Sequence, residues 1–216
     1  MEPSEAAASV KQEQAVILPL AYLPPLQYFR SMLGHKQVIF DLYEHFHKQY
    51  YYNRCLIAGP NGVLKLTIPI HHRHKRTAIK DVRISYEYDW QTLHWRSLEA
   101  AYRRSPYFEF YEHYFIKTFS DFKPEFLFEW NMKLFEILNT ILGNVVDVSF
   151  TTEYVESYPE SVDLRTWAAP NILAKQISST EKYQQVFEER QGFISNLSII
   201  DLLFCEGPHT VEYLKK

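Results

Sequence analysis

Apolar positions change their period along this chain, and each change marks an element. Apolar runs at 15–20 and 38–42, the second interrupted only by Asp41, read as buried strands. Between them Pro24 and Pro25 open a helix, where a missing N–H costs nothing, and Gly34 closes it. The chain thus begins strand–helix–strand, the start of a layered α/β unit. Residues 50–58 and 63–70 flank Gly59-Pro60-Asn61-Gly62. Leu64, Leu66, Ile68 and Ile70 alternate with Lys65, Thr67 and Pro69, so a hairpin is predicted that turns at Asn61-Gly62, with Leu64, Leu66 and Ile68 on one face. A further strand is expected at 82–86.

The middle of the chain reads as helical. Residues 90–103 hold no Gly or Pro, and Trp90, Leu93, Ser97, Leu98 and Ala101 would line one face. Pro106 and Pro124 start two more helices, the second closed by Gly143. A strand returns at 145–150. Residues 156–180 show no clear period and read as a loop with room for one short helix; a loop this long is usually functional or disordered. Asn196 then reads as the N-cap of a last helix carrying Leu197, Ile200, Leu203 and Phe204, stopped by Gly207-Pro208. Asp201 falls among those apolar residues. A carboxylate buried there needs partners, and it serves either as a structural bridge or as a site residue. The predicted class is α/β: a mixed sheet flanked by helices, with a central hairpin and a helical middle segment.

Composition narrows the function classes. Net charge is −3, so no basic field argues for nucleic acid. Sixteen Tyr and fifteen Phe predict a core and pockets built from rings. Cys55 and Cys205 make no disulfide framework and suit a reducing compartment. No apolar stretch reaches about 18 residues, which excludes a spanning helix. Residues 1–14 are Ala/Ser-rich with acidic residues and lack a long apolar segment. They read as a disordered lead-in rather than a signal peptide, followed by one domain over 15–216. A cytoplasmic location is expected.

Several residue groups could carry chemistry. His71, His72 and His74 fall in a basic loop whose spacing is poor for zinc, and no metal is predicted there. His45 and His47 share one face of an extended segment but make only two ligands. Asn53-Arg54 pairs a donor–acceptor amide with a rigid cationic fork. His94 leans toward the buried side of its helix, as a general base or as a satisfied core residue. Arg96, Tyr102 and Arg104 follow it, and Arg104 sits beside a helix start suited to anions. Asp163 and Arg165 lie in the long loop. Gly-rich phosphate loops, HExxH, GxSxG and CxxC are absent from the sequence.

Five segments in order resemble the WbqC-like family: Tyr22-Leu23-Pro24-Pro25-Leu26-Gln27-Tyr28-Phe29; Asn53-Arg54 with Leu66-Thr67-Ile68-Pro69; His94-Trp95-Arg96 with Tyr102-Arg103-Arg104-Ser105-Pro106; Asp163-Leu164-Arg165; and the segment from Asn196 to His209. One departure is Leu18-Pro19-Leu20, where many members have His-Gln-Pro. The family occurs in surface-polysaccharide (O-antigen) gene clusters. The resemblance therefore implies a cytoplasmic enzyme that transfers an acyl or amino-acyl group, such as glycine, to an activated sugar; the alternative is a non-catalytic module binding a glycan intermediate or a partner. It implies a small-molecule or sugar-nucleotide substrate and names no cofactor. Under the enzyme reading His94 accepts a proton and Asp163 or Asp201 orients a partner. Tyr22, Asn53, Arg54, Arg96, Tyr102, Arg104 and Arg165 bind substrate, with at least two of Arg54, Arg104 and Arg165 meeting in one cleft.

Overall fold

The structure, a computed structural model, describes residues 14–72, 76–176 and 181–215. The expected lead-in up to residue 13, and His74, lie outside them. The opening forms as predicted: strand β1 (Val16–Leu18), helix α1 (Leu26–Arg30) with Pro25 at its N-cap, and strand β2 (Val38–Phe40). The hairpin follows as β3 (Arg54–Gly59) and β4 (Gly62–Thr67). Gly59 pairs with Gly62, so Pro60 and Asn61 make the turn, one residue earlier than expected. Gly62 takes φ +114° where the strand resumes. Leu66 and Ile68 are buried, but Leu64 is 39% exposed near the hairpin tip, beyond the reach of the core. The hairpin is a separate two-stranded antiparallel sheet.

The expected strand at 82–86 is reduced to isolated bridges, Ile70 with Ile84 and Arg83 with Phe126. Helices α2 (Trp90–Tyr102), α3 (Phe108–Asp121) and α4 (Leu127–Ile141) fill the middle. Asp89 caps α2 by accepting from the Thr92 N–H. The buried face of α2 differs from the expected one: Trp90, His94, Trp95, Leu98 and Tyr102 point inward, while Leu93 is 57% exposed. Large rings decide this, because Trp90 packs edge-on against Trp130 of α4 at 4.9 Å.

Strand β5 (Val148–Phe150) forms as expected, and the long loop holds the short helix it had room for, α5 (Pro170–Leu173), but it also hides a strand, β6 (Val162–Asp163). Two residues are too few to show an alternating pattern. Helix α6 (Glu188–Gln191) precedes α7 (Ile199–Glu206) and α8 (Thr210–Lys215). Ser198, not Asn196, caps α7, its hydroxyl accepting from Ile200 N–H. Asn196 instead adopts φ +56° and accepts the Gln27 N–H at 2.9 Å, so it caps α1 from across the molecule. Both residue types suit the role, and tertiary geometry assigned them.

β1, β2, β5 and β6 form one parallel sheet in the order β5-β2-β1-β6. Its central strands are wholly apolar because both faces are covered. The chain steps outward from β1 to β2 to β5, then jumps back to the free edge of β1. In open parallel sheets, ligand crevices form beyond the carboxyl ends of strands where the order reverses in this way. One continuous apolar core extends from Val16 to Leu214.

Candidate functional site

At that edge lies a cavity of about 350 Å3. The segment after β2 supplies Glu44, His45 and His47; the segment after β5 supplies Tyr154 and Glu156; β6 and the turn beyond it supply Asp163, Arg165 and Thr166. Parallel strands end at one edge together, which is why three distant segments meet here.

Arg165 organises the cavity floor. Its Nε–H is shared between the two Asp163 carboxylate oxygens at 3.0 and 3.1 Å. Nη1 donates to Asp41 Oδ2 at 3.1 Å and to the Val155 carbonyl at 2.9 Å. Nη2 donates to Asp163 Oδ2 at 2.6 Å and to the Glu156 carbonyl at 2.9 Å. All five N–H groups are engaged. The guanidinium also lies over the Tyr158 ring at 4.9 Å. Hydrogen bonds donated to Asp163 hold Arg165 protonated against the cost of burial, aided by the Asp163 and Asp41 charges. Burial would raise the Asp163 carboxyl, but the hydrogen bonds and charge of Arg165 bring it below its ordinary value.

Asp41, 0% exposed, is the other anchor. Its Oδ1 accepts from the Tyr43 and Glu44 N–H groups and from the Thr151 hydroxyl. This fixes Glu44, whose Oε2 accepts from the Tyr52 hydroxyl at 3.4 Å. Burial, and then the negative charge of Asp41, raise the Glu44 carboxyl to about 7, against the lowering pull of Arg165 and of the Tyr52 hydrogen bond. Around the opening His45 stacks on Tyr154 at 5.6 Å, and His47 packs on Tyr50 at 5.0 Å. A carboxyl poised near neutrality inside a cavity can take a proton and return it within one cycle.

A stability effect follows. The folded protein holds the Glu44 proton to higher pH than the unfolded chain, so between about 4.5 and 7 the native state binds more protons. Stability is therefore expected to fall as pH rises through that window. Glu44→Gln should remove this part of the slope and gain on the wild type toward pH 8. Urea denaturation at a series of pH values measures it; parallel slopes for the two proteins would disprove it.

Sequence reasoning missed Asp41 and Glu44. The available signal was position, since Asp41 directly follows the apolar run of β2 and Glu44 stands three residues beyond it. Eight of the ten predicted site residues fall into three groups, and Arg96 and Arg104 stand apart from them. Asp163 and Arg165 belong to the cavity. Tyr22, Asn53, Arg54 and His94 gather at the base of the hairpin. There the Tyr22 hydroxyl bonds His94 Nδ1 at 3.0 Å, the His94 ring also bonds the Thr67 backbone, and Asn53 Nδ2 donates to the Ile68 carbonyl at 2.8 Å. Arg54 stands opposite Thr67 across the hairpin.

His94 is 3% exposed, and burial lowers its pKa to about 4 despite the Thr67 bond, so the ring is neutral at pH 7. It packs between Tyr22 and Trp90 and lines neither this cavity nor the groove around Arg104. His94→Ala is expected to cost about 2–4 kcal/mol, from the void and the orphaned Tyr22 hydroxyl. Chemical denaturation measures this, and an unchanged midpoint would refute the packing role.

Tyr102 and Asp201 form the third group. Asp201 accepts from the hydroxyls of Tyr102 at 2.7 Å and Tyr183 at 2.6 Å, and from Gln185 Nε2 at 3.0 Å. Its partners are neutral donors and no cation. Arg104 is exposed beside a separate groove of about 960 Å3 with Tyr107, Phe187 and Cys205. Arg96 is exposed on α2. Arg104 and Arg165 thus line different cavities, and Arg54 lines neither, contrary to the expected convergence. Among the described residues no set of three or more His, Cys, Asp or Glu could hold a metal ion. No helix among them is long and apolar enough to cross a membrane.

The model of the WbqC-like protein family matches residues 21–165, from the residue before Tyr22 through Arg165. No curated protein and no solved structure matches the chain.

Proposed function

The chain belongs to the WbqC-like protein family, and we propose that it is an enzyme of surface-polysaccharide biosynthesis that transfers an acyl or amino-acyl group to a sugar on an activated carrier. The observation that supports this most is Glu44, a carboxyl raised to about 7 in a cavity beyond the carboxyl ends of parallel strands. In this reading Glu44 takes the proton from an attacking hydroxyl or amine of the acceptor sugar. A bond forms between that oxygen or nitrogen and the acyl carbon of an activated ester. The bond from the acyl carbon to its carrier breaks, and the carrier leaves with the electron pair and receives the proton from Glu44. Asp41, Asp163 and Arg165 are positioning residues that hold Glu44 and the cavity floor. Cys55 and Cys205 are both buried free thiols, which supports a reducing, cytoplasmic setting.

The test is a mass-spectrometric screen of the purified protein with activated acyl and amino-acyl esters and nucleotide sugars. The expected result is a sugar heavier by the acyl group, formed by the wild type and lost in Glu44→Gln. Product formed at equal rates by both proteins would remove Glu44 from the chemistry. Tight sugar binding without product for any donor would support the binding-module alternative.

A further inference from the structure

The groups that the cavity leaves for a ligand are mostly acceptors. Arg165 is its only guanidinium among the described residues, and every N–H of that group is already committed to Asp163, Asp41 or the Val155 and Glu156 carbonyls. A substrate phosphate or carboxylate would find no arginine fork here. A carboxylate remains available at Glu44, which receives one long hydrogen bond from Tyr52; both Asp163 oxygens already accept from Arg165, but the side chain keeps 32% of its surface exposed, so its charge still faces the cavity. Among the described residues one fixed cation faces the carboxylates of Asp41, Asp163 and Glu44, so these residues leave the site short of positive charge. A metal ion does not fit that shortage, since no suitable ligand set exists among the described residues. At the opening, the half-exposed ring of Tyr154, stacked on His45, offers an aromatic face to a cation or to the C–H side of a sugar ring.

We propose that this cavity binds a primary ammonium group, and that the acceptor is an amino sugar whose nitrogen is held and deprotonated by Glu44 beside the negative charge of Asp163. The inference rests on the cavity being the active site and deepens that reading by choosing nitrogen over oxygen as the nucleophile. An ammonium brings three donors and the missing charge; a hydroxyl brings one donor and no charge. The acid–base match is close as well. Amines of the α-amino type ionise at about 7.7–8.0, near enough to Glu44 for transfer in both directions. Once deprotonated, the nitrogen lone pair forms the bond to the acyl carbon as the bond to the carrier breaks; Glu44 gives its proton to the departing carrier, takes the second proton from the nitrogen as the amide forms, and releases it to solvent.

Binding therefore depends on pH. The groups facing Glu44 are Asp41, His45 and His47 from its own segment, Tyr28 of α1, Tyr52 ahead of the hairpin, Tyr154 and Glu156 after β5, Asp163 of β6 and Arg165 just beyond it. An ammonium among them favours ionised Glu44, so a bound amine is expected to lower the Glu44 pKa. Binding should strengthen as pH rises toward about 7 and weaken again once the amine itself loses its proton.

The experiment is a titration of isotopically labelled full-length protein with glucosamine, N-acetylglucosamine and glucose, followed by NMR at pH 7. Glucosamine is expected to shift amide resonances of 41–47, 151–156 and 163–166. The two neutral sugars should bind about tenfold more weakly, the scale of one charge-assisted hydrogen bond, and Glu44→Gln should lose the same factor for glucosamine. Equal shifts from the neutral sugars at these resonances would overturn the ammonium inference while leaving the cavity as a sugar site. Shifts confined to the groove around Arg104 would overturn both. No shift from any of the three sugars would overturn the inference alone, because the cavity reading is decided by acyl transfer.

Discussion

Glu44→Gln is expected to lower the rate of acyl transfer by about 10²–10⁴-fold, the usual contribution of a positioned base, with the fold unchanged. Gln keeps the length and one carbonyl acceptor, so the Tyr52 hydroxyl retains its partner and Asp41 still receives the residue 44 N–H. What disappears is the ability to bind a proton near neutral pH. The wild-type kcat/KM should therefore climb through about pH 7 as Glu44 ionises, while the variant's residual rate should lack that limb. Asp41→Asn supplies a second check. It removes the negative charge that, after burial, does most to raise Glu44, so the ascending limb should move to lower pH. A limb that stayed in place in both variants would assign the titration to another group, and full activity in Glu44→Gln would end the base assignment.

The largest loss of stability is expected from Asp201→Ala, at about 3–5 kcal/mol, since each buried partner left unsatisfied costs roughly 1–3 kcal/mol. The variant strands the Tyr102 and Tyr183 hydroxyls and takes one of its acceptors from the Gln185 amide. The network also ties elements together. The Tyr102 hydroxyl accepts from Ala58 N–H of β3, and Gln185 bonds both the carbonyl and the N–H of Ile194. The side chain is 0% exposed, so no water can take its place without the interior opening. Asp201→Asn should lose less, because one acceptor oxygen remains while its NH2 opposes a donor. Burial raises the Asp201 carboxyl even though its three hydrogen bonds favour the charge. The contribution of Asp201 should thus weaken as pH rises above the ordinary carboxyl range. Urea denaturation measures both substitutions; a loss under about 1 kcal/mol for Asp201→Ala would show that the network relaxes around the gap.

Both results draw on features that differ in how far the chain's pattern exposes them. The buried carboxylate was visible: Asp201 among Leu197, Ile200, Leu203 and Phe204 demanded partners, and the structure supplies them. The opening strand–helix–strand unit, the hairpin and the three central helices were visible too, because periodicity and turn residues act over a few positions. Asp163-Leu164-Arg165 was picked out in the loop, but not the strand β6 within it, whose pairing with β1 is a contact between residues almost 150 positions apart. Asn196 and Ser198 show the same divide on a smaller scale. Either side chain can cap a helix, and only the close approach of α1 decides which N–H each receives.

Sequence by itself determined the α/β class, the elements made by local pattern, and membership signals spread from Tyr22 to Arg165. Tertiary structure alone decided that Glu44 follows a strand ending beside β6, that Arg165 is saturated by Asp41 and Asp163, and that His94 is enclosed by Tyr22 and Trp90. The reason is the range of the forces involved. Helix and turn preferences are settled between near neighbours, whereas a proton affinity is set by burial and by charges that approach only when distant segments pack.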